Sequence, residues 1–232
     1  MRDREIDDIL NRAAAASPGV DPALLDRVSS SIGGSLRPVR PLPPSWVLIT
    51  ALAAVAVTVA VGGAARLGLY GIQEMSAAAI GLVFPLLGVL IWLTAAVCVS
   101  EMIPGSRHRI APGALLAAAC AALIAAFALL FHDYSSEDFV AEGIVCLKAG
   151  LLHALPAALL GWLVLRRGFA VDSLAAGFAI GSLSGLAGVS MLELHCPYFE
   201  APHVMVWHTA VLLVSGLMGV VLVWAGRLLH RR

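Results

Sequence analysis

Charge is scarce in this chain. Asp, Glu, Lys and Arg make up 13% of its 232 residues and aromatics 6%, against 60% hydrophobic residues and a mean hydropathy of +0.91. A soluble globular domain carries about 25% charged residues, so that class is excluded. Transmembrane β-strands would show short alternating runs, and these are missing too. Residues 1–45 lack the apolar core of a signal peptide, so none is expected ahead of the first long apolar run. Nothing reads as a nucleophile–base triad, a phosphate loop or a nucleotide motif, and an enzyme is not expected. No internal repeat is visible, which weakens a transporter built from paired halves.

Six apolar runs of the ~20 residues that a helix needs to cross a bilayer take up most of the chain. They are Trp46–Ala65, Ser76–Val99, Ala111–Phe131, Ile144–Leu165, Val171–Leu192 and Val204–Gly226. The expected fold is all-α, an integral membrane bundle of six transmembrane helices. The expected organisation is a helical tail over 1–36, a Pro-rich linker over 37–45, the bundle over 46–226 and a basic tail over 227–232.

The formal charge of zero hides an asymmetry. Thirteen of the fifteen Lys and Arg residues fall before span one, after spans two and four, or after span six. Arg66 alone is on the other side, with Glu74, Asp133, Glu137, Asp138, Glu142, Glu193 and Glu200, while Lys148 is inside a span. Positive residues stay cytoplasmic, so both termini are expected there and the acidic loops outside. A cell with two membranes would place those loops in a disulfide-permissive compartment.

In the tail, REIDDILNRAAAA sets Ile6, Ile9 and Leu10 at helical spacing, and DPALLDRVSSSI does the same for Leu24, Leu25, Val28 and Ile32. Two such short helices have too little area for a core of their own and call for a partner surface. In span five, GFAIGSLSG lines up Gly177, Gly181 and Gly185 one turn apart, a ridge suited to close helix packing in lipid. Pro85 and Pro156 interrupt spans two and four, where kinks are expected.

The loop before span six is chemically dense. ELHCPYFEAPHVMVWH (Glu193–His208) holds three of the seven histidines and one of the four cysteines. Cys146 lies near the outer end of span four, and an antiparallel return brings Cys196 to the same depth. These positions fit a disulfide or reactive dithiol pair, or two separate small buried residues. Cys98 and Cys120, within apolar spans, read as packing. A metal site is the alternative. Glu142 shares the face of Cys146 four residues on, and Cys196, His195, His203 and His208 could complete a site for zinc, copper or cadmium. Against this, interfacial histidines beside Trp207 are ordinary membrane-boundary residues. His153, seven residues beyond Cys146, is ~10 Å deeper and out of reach of the same ion. Lys148 points away from Cys146 and is expected to pair with Glu142, Glu193 or another outer acid, or to reach outward to water.

The runs CLKAGLLHALP (Cys146–Pro156), LRRG (Leu165–Gly168), LHCP (Leu194–Pro197) and VMVWH (Val204–His208), with SLRPVRPLPP (Ser35–Pro44), resemble one six-span family. It is the bacterial inner-membrane family that includes the negative regulator of sigma F. The resemblance implies a membrane anti-sigma factor that holds an extracytoplasmic-function sigma factor through its N-terminal tail, without touching nucleic acid. It also implies that Cys146 and Cys196 sense stress or metal, with no obligatory cofactor. After LHCP this chain reads YFEAPH, where the family has acidic and small polar residues, and the tail lacks the His and Cys pattern of zinc-containing anti-sigma domains. The rival reading is a small transporter or metal-handling membrane protein, which would need a polar path through the bundle. A third is a structural membrane subunit with a partner-binding tail.

Overall fold

In the computed structural model, the residues described are 7–9, 11–12, 21–35, 42–103, 105, 110–135, 138–166, 168, 170 and 172–229. The chain divides into two units, Met1–Pro41 and Leu42–Arg232. In the first, α1 (Pro22–Ser35) starts as its sequence dictates. Pro22 occupies the first helical position, and the Asp21 carboxylate accepts a hydrogen bond from the Ala23 amide at 3.0 Å. Leu24, Leu25 and Val28 are each about half exposed, as is Ile9 further upstream. Ile6 and Leu10 lie outside the described residues.

Among its described residues, the second unit contains six helices long and apolar enough to cross a membrane. These are α2 (Ser45–Leu67), α4 (Ala77–Glu101), α5 (Pro112–Leu130), α6 (Phe139–Leu165), α7 (Ser173–His195) and the final span Ala201–Leu228, with the short α3 (Tyr70–Glu74) after α2. The final span begins as α8 (Ala201–His203), passes through a π-helical turn (Val204–His208) and continues as α9 (Thr209–Leu229). This is a multi-pass membrane protein. Side chains cap the starts of α4 and α7: Ser76 accepts from the Ala79 amide at 3.2 Å, and Asp172 from those of Leu174 and Ala175. Pro85 and Pro156 sit inside continuous helices rather than dividing them.

Helix α7 is the core of the bundle. From Gly181 to Glu193 every residue is buried, and the helix packs against α2, α4, α6 and α9. Its composition permits this, because glycine, alanine and serine let neighbouring backbones come close where lipid gives no hydrophobic drive. A Cβ at Gly177 would lie 2.6 Å from Val223 Cγ2 and one at Gly185 2.9 Å from the Leu212 Cα, while one at Gly181 would run into the Ser215 carbonyl. On another face, a Cβ at Gly188 would lie 2.5 Å from the Gly150 carbonyl of α6. Ser182, Ser184 and Ser190 donate back to carbonyls of α7 itself, at Phe178, Gly181 and Leu186, so these buried hydroxyls are satisfied locally. Large side chains such as Leu152, Leu159, Leu217 and Leu222 are turned outward, the arrangement a lipid-facing surface needs.

Candidate functional site

The ends of α6 and α7, the loop 196–200 and the π-helical turn meet at one end of the bundle. Cys146 is seven residues into α6, Cys196 caps the C-terminus of α7, and His203 and His208 bracket the π turn. The Sγ atoms of Cys146 and Cys196 are 3.3 Å apart, and Cys196 Sγ is 3.7 Å from His203 Nε2. One ligand atom from each of Cys146, Cys196, His203 and His208 lies within 4.8 Å of the others, and all four side chains are buried.

The π turn explains how both histidines reach this point. Five residues along an α-helix turn ~140°, so His203 and His208 would face different neighbours. A π turn closes i→i+5 hydrogen bonds, and residues five apart come close to alignment. The imidazoles meet edge to face with centroids 5.4 Å apart.

Behind His208 stands Glu193. Its Oε1 accepts a hydrogen bond from His208 Nδ1 at 2.6 Å, and both side chains are fully buried. That bond commits Nδ1–H to the carboxylate and leaves Nε2, which has no hydrogen-bond partner among the described residues. Glu193 Oε2 and His203 Nδ1 are likewise buried without one.

Aromatic residues wall the cluster. Phe199 stacks on Phe131 at 5.0 Å, Tyr198 lies over His203, and Phe127 meets His208 edge-on. Trp207 occupies the space a side chain at Gly143 would need. The hydrogen bond to Cys146 and burial both push the Cys196 thiol above the ordinary cysteine value. Tyr198 is also raised, chiefly by the negative charge of Glu142.

A family model described as the negative regulator of sigma F, NrsF, matches residues 33–230. The chain belongs to that family. No curated protein and no solved structure matches it. NrsF membership makes this a negative regulator whose partner is a sigma factor, in agreement with the anti-sigma expectation. The match begins at residue 33, so most of the N-terminal tail lies ahead of it.

Within this NrsF chain, the structure gathers four of the six candidate metal ligands and leaves two aside. His195 turns away, its Nδ1 2.9 Å from the Gly68 carbonyl and its ring against Tyr70. Glu142 is half-buried and acts on the Tyr198 hydroxyl. Lys148 is exposed on α6, and of the acids suggested for it Glu193 is bound to His208. His153 bonds to Ala149 of its own helix and packs at Gly63. Cys98 and Cys120 are buried within their spans. Glu193 is the residue that sequence reasoning misplaced. Its signal was an acid three residues before Cys196, on the same helix face.

Proposed function

We propose that the protein is an inner-membrane anti-sigma factor for an extracytoplasmic-function sigma factor. In this reading its N-terminal segment holds the sigma factor on the cytoplasmic side, and Cys146 and Cys196 sense metal or oxidant on the other. The carrying observation is NrsF membership over residues 33–230, joined to a buried thiol pair 3.3 Å apart. The charge asymmetry supports the orientation, with Arg-rich segments inside and the cysteine-bearing end outside. Leu24, Leu25 and Val28 form an apolar face on α1, the sequence sets Ile6, Ile9 and Leu10 at helical spacing upstream, and a helix lying in a groove of the sigma factor is the binding mode such a pattern suits.

The coupling route runs through α7 and α3. Helix α7 touches the first span α2 directly, and a Cβ at Gly71 of α3 would lie 2.6 Å from the Glu193 carbonyl and 2.8 Å from that of Cys196. In this reading a change at the thiol pair is passed to the first span, which follows the N-terminal segment in the sequence. Two packed states that both sites bias are what this mechanism requires.

The test is a sigma-dependent reporter with co-purification of the sigma factor on full-length protein. Leu24→Asp/Val28→Asp is expected to release the sigma factor and derepress the reporter, with membrane insertion unchanged. Cys146→Ser and Cys196→Ser are expected to retain the sigma factor but lose the response to metal and oxidant. Sigma binding that survives the tail substitutions would overturn the tail's role. A full response in both cysteine variants would overturn the sensing role.

A further inference from the structure

The donor set at the thiol pair is more specific than a pair of cysteines. Two sulfurs and two imidazoles from α6, the end of α7 and the π turn converge within 4.8 Å, all buried. We propose that Cys146, Cys196, His203 and His208 hold one tetrahedral divalent cation of the zinc class, with Glu193 orienting His208 from behind. This names an occupant for the site invoked above, and rests on that reading only for its regulatory use.

Distances carry the argument first. Zinc–sulfur bonds of ~2.3 Å and zinc–nitrogen bonds of ~2.0–2.1 Å at tetrahedral angles put sulfurs about 3.8 Å apart and sulfur about 3.6 Å from nitrogen. The observed separations are 3.3 Å for the two sulfurs and 3.7 Å from Cys196 Sγ to His203 Nε2. The sulfurs are much further apart than the ~2.05 Å of a disulfide. The two sulfurs separate by about 0.5 Å and the more distant ligand atoms, all within 4.8 Å of the rest, close in by about 1 Å to complete the tetrahedron.

The second observation is independent of those distances. His208 is fully buried, its Nδ1 is taken by Glu193, and its Nε2 has no hydrogen-bond partner among the described residues. A buried polar nitrogen left unmatched is unfavourable, and a metal bond would satisfy it. The carboxylate–histidine arrangement is also how metal-bound imidazoles are commonly held in one tautomer and orientation.

Chemistry then selects the ion. Two sulfurs and two nitrogens in a tetrahedron fit zinc, whereas magnesium and calcium require oxygen ligands. A divalent ion offsets the charge of the two thiolates, which buried anions away from water require. Four protein ligands leave no open coordination position, which is the pattern of a structural or sensing site.

The experiment uses full-length protein in detergent, reduced, stripped of metal and titrated anaerobically with Co²⁺ and then Zn²⁺. One equivalent of Co²⁺ is expected to give the intense visible bands of a tetrahedral site with thiolate-to-cobalt charge transfer, bleached by Zn²⁺. No binding, or a weak octahedral spectrum without charge transfer, would overturn the proposal, and this result needs no variant. In variants whose circular dichroism matches wild type, Cys146→Ser is expected to lose most of the charge-transfer intensity. Glu193→Gln is expected to keep the spectrum and weaken affinity about 10–100-fold; unchanged affinity would remove Glu193 from the site. Stoichiometric binding with a metal-blind reporter would sink the sensing reading alone. A metal-responsive reporter without binding to the purified protein would sink this inference alone.

Discussion

Glu193 Oε1 and His208 Nδ1 are 2.6 Å apart, and neither side chain has any exposed surface. The contact ties the core helix α7 to the π turn across fifteen residues of sequence. Removing one member of a buried hydrogen-bonded pair strands the other away from water, which typically costs about 3–5 kcal/mol. Glu193→Ala and His208→Ala are each expected to lower the thermal midpoint of metal-free protein in detergent by a loss of that order. Glu193→Leu/His208→Leu is expected to lose less than either single alanine variant, because both polar groups leave together. Additive losses in the double variant would show that the pair is not coupled.

The glycines divide into two groups that substitution should separate. Gly81 and Gly88 on α4 have nothing within 4 Å of the point where a Cβ would stand, whereas a Cβ at Gly181 would collide with Ser215 and Gly216. Gly88→Ala is therefore expected to be neutral or to stabilise by about 0.5–1 kcal/mol through helix propensity. Gly181→Ala forces α7 and α9 apart and is expected to destabilise by roughly 1–3 kcal/mol. Thermal unfolding monitored by circular dichroism distinguishes these. Equal midpoints would mean that the close approach at Gly181 contributes nothing.

Run lengths and hydropathy made the six spans legible, since a bilayer sets the helix length directly. The thiol pair was legible as well, because antiparallel packing brings Cys196 back beside Cys146. The histidine geometry was not. In α register His203 and His208 diverge, and only the π turn aligns them. Glu142 stood out by its i, i+4 spacing to Cys146, but its charge acts on Tyr198. His195 follows Glu193 by two residues, and the helix turns its ring to the Gly68 carbonyl. Periodicity assigns a face within one helix. It cannot rank the acids and histidines of neighbouring elements that compete for one buried point.

Oxidation should be selective among the four cysteines. Cys146 and Cys196 need only close from 3.3 Å, whereas Cys98 and Cys120 sit buried in other spans. Treating metal-free protein with diamide is expected to join the pair. The two thiols give up two electrons and two protons, and the azo bond of diamide is reduced to the hydrazine. Non-reducing peptide mapping should find Cys146 linked to Cys196, with Cys98 and Cys120 alkylated only after denaturation. A linkage through Cys98 or Cys120 would contradict the arrangement. Bound Zn²⁺ should slow closure by occupying both thiolates.

Gly71 offers a way to disturb the thiol pair without touching a ligand. Helix α3 presses on the loop carrying Cys196, and a Cβ at Gly71 would stand 2.6 Å from the Glu193 carbonyl and 2.8 Å from the Cys196 carbonyl. Both contacts are backbone atoms, so a larger residue must move the loop or α3. Gly71→Val is expected to slow diamide-driven closure of Cys146–Cys196 and to destabilise the bundle by about 1–3 kcal/mol. Gly62→Ala, on α2 with open space around it, serves as the control and should leave the rate unchanged. Measuring free thiols over time at several diamide concentrations separates slower closure from slower reagent entry. An unaltered closure rate in Gly71→Val would break the proposed link between the first span and the thiol pair at its first step.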